Sequence, residues 1–586
     1  MRKYIKNYGI CLRTFLLFLP CLGDLTAHAT GKEEIIEFQG DRYVIHVDRM
    51  APDSEMTLMD VLNTSPEFLS INGKQIDLDY KLRIDNIDVV LDPESFLANV
   101  KACEIDYIQI CSNTSVAKTV NGTKGIIDIY YREDAKTNGK VALAGSTYGS
   151  GRLYTDVTSR TGDVTVQAYA MGRTSYGKSY PTDRHRMTDR GLAEAMHLSI
   201  DWKMSPNDKL LIKAFQKFED NKQKLFYPTP TEAHPYYNRY IDLVLSYSHT
   251  FKNDAILFAE IGSDYTRKRS DDGKTGDCYP YGFVEINTPI FTSDLWLMAG
   301  VELDYENTWN IGQNREQYMQ SDFYAQLDYT NGPWVLTLGD RFRIMNFWNR
   351  QHDAADQSLW SHSRNNHSYL VSAGYKAGCH FMQAQFTRRY FIPGISDFLT
   401  DETAPTTDLK YDAGCYSTNL VHQGLLRYSY QQKNFFLHTS LENNWFSDLS
   451  TPNYQILGIR NSIYWKTAPC ELTLGANYYH QHQKAGADTA SDDDDFVTLK
   501  AAPAIVLPKG FRLSTVLLYS SRRAMTDQHA HLFASVKINK QLGKKCNVFD
   551  EFHDMGGYTT GTWSQLAGLY QNRALTAGAT FYPFHE

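Results

Sequence analysis

From about Gly139 to its end, the chain alternates apolar and polar positions with a period of two, in segments of roughly 10–14 residues separated by breaks. Leu295, Leu297, Ala299, Val301, Leu303 and Tyr305 share one face, and Trp296, Met298, Gly300, Glu302, Asp304 and Glu306 share the other. Phe323, Ala325, Leu327 and Tyr329 alternate in the same way with Asp322, Tyr324, Gln326 and Asp328. Leu472, Leu474, Ala476 and Tyr478 do so with Glu471, Thr473, Gly475, Asn477 and Tyr479. Successive side chains of a strand point to opposite faces, so each segment predicts a strand with one apolar and one polar side. A charge facing lipid at the bilayer midplane costs about 2–4 kcal/mol. The acids of these segments therefore belong on the inner, wet face of a membrane barrel.

About 22 such segments can be placed, centred near 144, 153, 169, 196, 212, 243, 260, 283, 299, 322, 339, 370, 384, 422, 440, 459, 475, 500, 516, 534, 549 and 578. Most are long enough for the ~9–11 residues of a tilted membrane strand. Their connections alternate in length. Short turns fall at Arg160–Asp163, Ser205–Asp208, Lys252–Asp254, Asn331–Pro333, Gln432–Asn434, Thr467–Pro469 and Pro508–Gly510. Long polar loops are expected at 176–188, 219–235, 348–364, 391–414, 482–493 and 554–572. Outer-membrane barrels keep short turns in the periplasm and long loops outside. If strand one runs outward from the periplasm, each long loop leaves an odd-numbered strand, and an even count returns the C-terminus to the periplasm. A soluble sandwich or propeller has no reason to keep that parity. The pattern predicts an all-β transmembrane barrel of about 22 antiparallel strands.

Residues 30–136 read differently, as a short mixed α/β region. Tyr43–Val47 is a strand signal, Thr57–Leu62 a short helix stopped before Pro66, and Asn72-Gly73 a hairpin turn. Leu82–Leu91 is a strand with a central turn at Asp85-Asn86, and Pro93–Val100 a helix with Pro in its first turn. Ile105–Tyr131 then reads as strand, polar turn and strand. The order of these pieces resembles the plug domain of TonB-dependent outer-membrane receptors and allied short-plug barrels. The matching residues are Asp60-Val61-Leu62, Ser65-Pro66-Glu67, Asn72-Gly73-Lys74, Ile84-Asp85-Asn86, Glu104–Gln109, Asn113-Thr114-Ser115 and Gly122–Ile129. Phe386–Leu399 is similar to a strand-to-loop segment of that family, and Gln571–Phe584 to its closing strand. The expected division is a signal peptide at 1–29, a reduced plug at 30–136 and the barrel at 137–586.

Composition agrees with this picture. Tyr is abundant, at 39 residues, as the aromatic girdles of a barrel require. Mean hydropathy is −0.44, and the sequence has no uncharged apolar run near the ~18 residues of a membrane helix. Arg2, Lys3, Lys6 and Arg13 precede the apolar Thr14–Leu22, and Ala27-His28-Ala29 offers the small residues of a signal-peptidase site. The chain carries a net charge of −8; removal of residues 1–29, with four basic groups and one acid, makes it −11. That balance gives no footprint for nucleic acid. Seven of the nine cysteines lie beyond residue 29, an odd and scattered set that is not a disulfide framework. With 104–110 extended, Cys103 and Cys111 are about 25 Å apart, beyond bridging reach.

Candidate chemistry is sparse. Asp492–Asp495 is a four-carboxylate run placed in an outer loop, where hard cations bind such oxygens, although a solvated loop tip explains it as well. His480/His482 and His529/His531 each put two imidazoles on one strand face, either as metal ligands or as polar strand ends. Neither a nucleophile–base motif nor a phosphate loop stands out. No catalytic, cofactor-binding or metal residues are nominated, and the expectation is a non-enzyme without cofactor.

The resemblance implies a receptor-like transporter in the outer membrane of a Gram-negative bacterium, taking up a scarce small solute of the siderophore, vitamin, peptide or oligosaccharide class. Implied partners are outer-membrane lipid, the barrel-assembly machinery and TonB in the periplasm, with Ile35-Ile36-Glu37-Phe38 the nearest match to a TonB-recognition box. The alternative is a TonB-independent structural, adhesive or accessory barrel that binds a partner through its outer loops.

Overall fold

The computed structural model describes residues within 35–583, apart from 51–55, 64–79, 89–96, 112–124, 133–137, the tips of most long connections (the widest 392–418 and 554–573) and scattered single positions. The expected signal peptide, the Asn72-Gly73 turn, most of the 93–100 helix, His529, the 392–399 segment and Phe584 lie outside the described residues.

β-Branched runs make six strands near the N-terminus: β1 (Ile36–Gln39), β2 (Arg42–His46), β3 (Tyr80–Ile84), β4 (Ile87–Asp88), β5 (Ile105–Cys111) and β6 (Gly125–Tyr131). They form one sheet in the order β1-β2-β5-β6-β3-β4, parallel only between β3 and β6. The strand–turn–strand expected at 105–131 is the antiparallel pair β5–β6 at its centre. A short helix, α1 (Leu58–Asn63), is started by Thr57. The Asp60 carboxylate accepts the Thr57 N–H and hydroxyl, both at 2.8 Å, and the Asp60 N–H donates back to the Thr57 hydroxyl at 3.3 Å. This is a reciprocal capping arrangement, and it turns Leu58, Val61 and Leu62 into the core. Arg83 of β3 grips Asp128 of β6 with two bonds, at 2.5 and 2.7 Å.

The second body is a closed barrel of 22 antiparallel strands paired in chain order. It begins with β7 (Asn138–Ser146), β8 (Gly151–Thr161), β9 (Val164–Thr182), β10 (His185–Lys203), β11 (Asp208–Tyr227), β12 (His234–Thr250) and β13 (Ile256–Ser270). It continues with β14 (Gly273–Ile290), β15 (Thr292–Asn310), β16 (Asn314–Asn331), β17 (Trp334–Gln351), β18 (Trp360–Ala377), β19 (His380–Phe391) and β20 (Asn419–Gln432). The remainder are β21 (Phe435–Ser447), β22 (Tyr454–Thr467), β23 (Cys470–Gln483), β24 (Asp492–Leu507), β25 (Phe511–Ser520), β26 (His531–Leu542), β27 (Cys546–His553) and β28 (Ala574–Phe581). The last strand returns to the first, from Thr576 opposite Ser146 to Phe581 opposite Val141. Every expected segment centre falls inside its strand.

Two solvents dictate the two faces. Outward residues are exposed and apolar, as at Leu243, Ile261, Val284 and Leu338, while Asp322, Gln326 and Arg341 on the inner face are buried. The acids of β15 are on the inside as expected: Asp304 and Glu306 are buried and Leu303 is exposed. With no edge left unpaired, every barrel strand satisfies its backbone without water, the condition for crossing hydrocarbon. Several inter-strand gaps are filled by an aromatic ring lying across a glycine. A Cβ on Gly300 would sit 2.5 Å from the Tyr324 ring, and one on Gly578 2.5 Å from the Phe549 ring.

Two expectations need correction. The connections at 176–188, 219–235 and 348–364 are largely strand: β9 runs to Thr182, β11 to Tyr227, and β17 to Gln351. Beyond the lipid belt both faces of a hairpin are wet, so the alternation that marks a strand disappears while the backbone pairing continues. Asp492–Asp495 is likewise the first turn-out of β24 and not a loop tip.

Candidate functional site

The N-terminal sheet sits inside the barrel, and four sets of contacts seat it. Its core is continuous with inward side chains of the barrel wall, namely Ala142, Tyr154, Tyr169, Met171, Ala195 and Phe215 on one arc and Phe436 and Tyr464 on another. An ion triad ties it to the first barrel strand. The Lys140 ammonium lies 3.2 Å from the Glu104 carboxylate of the plug and 3.6 Å from Asp156 of β8. Tyr154 donates to the same Asp156 oxygen at 3.3 Å, and Arg132 holds the chain just before it enters the barrel by donating to Ile105 O at 3.3 Å. Lys466 reaches from β22 to Met50 O at 3.2 Å.

The fourth contact falls on the candidate TonB box. Gln431, near the short-turn rim of β20, is placed to act as a substitute strand: with its side-chain amide oriented to satisfy both partners, its nitrogen donates to Ile36 O at 2.9 Å and its oxygen accepts the Ile35 N–H at 2.5 Å. Ile36 itself is buried and belongs to β1, which pairs with β2 from Ile36 opposite Ile45 to Gln39 opposite Arg42. Within the sheet, Tyr107 and Tyr130 stack with ring centres 4.4 Å apart. Burial, with the neighbouring Asp128 adding to it, pushes the Tyr130 phenol well above its usual range.

The rest of the lumen is polar and divided by charge. On β14–β17, Glu285, Glu302, Asp304, Glu306 and Asp322 face two arginines. Asp322 accepts from Arg341 Nε at 2.7 Å and from Arg343 Nη2 at 2.8 Å, while Arg341 also reaches Glu302. Gln320 donates to Asp304 at 2.8 Å and Asp322 at 3.0 Å, and Tyr324 to Glu285 at 2.8 Å. On β20–β25 the balance reverses: Arg427, Arg460, Lys500 and Arg512 are buried on the inner face. Their carboxylate partners there include Glu442, 2.5 Å from Arg460, and Glu471, 2.7 Å from Arg512. The lumen thus has an acidic sector and, two strands further round the wall, a sector richer in bases, an arrangement that orients a dipolar or zwitterionic solute more readily than a neutral one. The inward arginines were readable from strand parity, because Arg341 and Arg343 share a face with Val335 and Thr337, opposite the exposed Leu336 and Leu338. Their division into two sectors follows only from the pairing order of the strands.

The histidine and aspartate candidates meet at the long-loop end of β23–β24. His480 lies 2.9 Å from Asp495, and His482 2.5 Å from Asp493, on the outward face. Asp494 points inward and is buried. The carboxylate run is therefore split between two faces. Among the described residues, no three His, Cys, Asp or Glu side chains converge as the ligands of one metal ion.

No family model matches the chain, and no curated protein sequence does. Solved structures do. The alcaligin outer-membrane receptor FauA of Bordetella pertussis is 10% identical with a TM-score of 0.62, over 93% of this chain and 95% of that one. The iron transporter FrpB of Neisseria meningitidis is 10% identical with a TM-score of 0.68, over 94% of this chain and all of that one. The copper transporter OprC is 9% identical, also at 0.68, over 92% of this chain and 100% of that one. At such identity the likeness speaks for architecture alone. Closed 22-strand barrel, apolar belt and seated N-terminal sheet together give this protein the fold of the TonB-dependent receptors of the outer membrane.

Proposed function

We propose that the protein is an outer-membrane receptor that takes up a scarce solute, with TonB acting on β1 to loosen the plug. The observation that carries this reading is the placement of β1. It is an edge strand of the plug sheet, lies at the short-turn rim and is held to the barrel by the side-chain amide of Gln431. A strand held at the edge of a sheet can be taken over by a partner that supplies a competing strand, and force applied there acts directly on the sheet. The similar structures are described as receptors and transporters of siderophores, iron and copper, which supports an uptake role and leaves the solute of this chain to experiment.

The polarised lumen adds that a charged or zwitterionic solute is better suited than an apolar one. Deleting residues 30–40 from the genomic copy is expected to abolish uptake and TonB co-purification while leaving the barrel folded. Retained uptake without TonB association would move the protein to the alternative class, an accessory barrel working through its outer loops. Growth of the deletion strain under iron, vitamin, peptide and glycan limitation identifies the solute.

A further inference from the structure

On β12–β14 the outward face changes character near the long-loop rim. On β13 the outward series Leu257, Ala259, Ile261, Ser263 and Tyr265 is followed by Arg267 and Arg269; on β12, Leu245, Leu243 and Ile241 are followed by Arg239. The register sets Arg239 directly opposite Arg267, and Arg269 directly opposite Lys274 of β14. Like charges in directly opposed positions destabilise a strand pair, and here two such pairs stand next to each other. The three arginines are exposed and Lys274 is half-buried. Among the described residues none of the four makes an ion pair. Among the described residues the nearest outward carboxylates are Asp220 of β11, diagonal to Arg239, and Glu194 of β10, opposite Phe218; Asp271 and Asp272, which follow Arg269 in the chain, lie outside the described residues.

The surroundings fit an interfacial ligand. Trp309 lies across Gly276, the residue opposite Arg267, so closely that a Cβ there would be 2.4 Å from the ring. Tyr265 is 6.2 Å from Trp309, centre to centre. Tyr and Trp collect at the level of lipid headgroups, which places the four cations at the upper edge of the hydrocarbon. Directly below them runs exposed apolar surface formed by Leu243, Ile261 and Val284.

We propose that Arg239, Arg267, Arg269 and Lys274 bind the phosphates of an anionic lipid of the outer leaflet, whose acyl chains lie along that apolar surface. Guanidinium forks match phosphate oxygens two at a time. The anion relieves the like-charge pairs, and the apolar track distinguishes a lipid from a free phosphate.

Purified full-length protein would be titrated with a bisphosphorylated glycolipid, with the same lipid dephosphorylated, and with millimolar inorganic phosphate, reading bound lipid by native mass spectrometry. The expected result is binding of the bisphosphorylated lipid alone. Removing one charge, Arg269→Gln, should weaken it about fivefold and Arg267→Gln/Arg269→Gln about thirtyfold, at about one surface cation's worth of attraction each. Lys252→Gln at the opposite rim should leave it unchanged. Equal binding of the dephosphorylated lipid, displacement by inorganic phosphate, or full retention in the double variant would overturn the proposal. Heat-modifiable gel mobility checks that each variant is a folded barrel; if the double variant is not, the single variant and the three-ligand comparison decide.

Discussion

Lys140 ties the seat of the plug to the barrel wall. It is buried between the carboxylates of Glu104 and Asp156, and one of those belongs to the plug and the other to the barrel wall. Breaking a buried charge pair by removing one member costs about 3–5 kcal/mol, because the survivors remain desolvated and unpaired. Lys140→Met therefore should loosen the plug without opening the barrel: protease should cut the N-terminal region in intact outer-membrane vesicles while the barrel keeps its heat-modifiable mobility. An unchanged digestion pattern would show that the apolar seat suffices alone. Asp322 is the corresponding residue of the acidic wall, since it answers both Arg341 and Arg343. Asp322→Asn should lower the yield of assembled barrel, and a compensating Arg343→Gln should recover part of it. The sequence marked Asp322 as an inward residue through its alternation with Phe323, but its two arginine partners come from β17 and were not paired with it by any local pattern.

At the scale of elements, β1 is both a strand and a latch. Gln431→Leu preserves side-chain bulk and removes the two bonds to Ile35 and Ile36. Labelling of an engineered Glu37→Cys by a membrane-impermeant maleimide from the periplasmic side should rise in that background, whether or not TonB is present. No rise would mean that pairing with β2 alone holds the strand. The glycine–aromatic crossings make a second test. Gly578 faces Phe549 across β27–β28, with Leu143 O of β7 2.7 Å from where a Cβ would be. Because one of those neighbours is backbone, Gly578→Val cannot be absorbed by a side-chain rotation. Overpacking of this kind costs about 1–3 kcal/mol, read as a lower temperature for loss of heat-modifiable mobility. Strand positions were legible because lipid and lumen each impose a face on them. Hairpin extensions beyond the belt, such as Ser175–Thr182 with His185–Arg190, were not, because water on both sides imposes none. The plug was legible as an order of elements, while its strand order β1-β2-β5-β6-β3-β4 depends on long-range pairing that no local run encodes.

For the whole molecule, parity was the strongest sequence signal, since alternating short and long connections already fixed the sense of every strand. The charge division of the lumen needed the full pairing order, which sets β14–β17 and β20–β25 only two strands apart along the wall. Closure has a further consequence in time. The seam joins Asn138–Ser146 to Ala574–Phe581, so the first and last barrel strands are partners separated by nearly the whole chain. Contacts between residues so far apart are slow to form because the intervening chain must be gathered first. The barrel therefore has an unpaired edge at both ends until its final strand arrives. The sheet that occupies the lumen is joined to the strand on one side of that seam by residues 132–137. A truncation that removes β28 therefore leaves β7 and β27 without partners at the seam and the wall around the sheet unsealed.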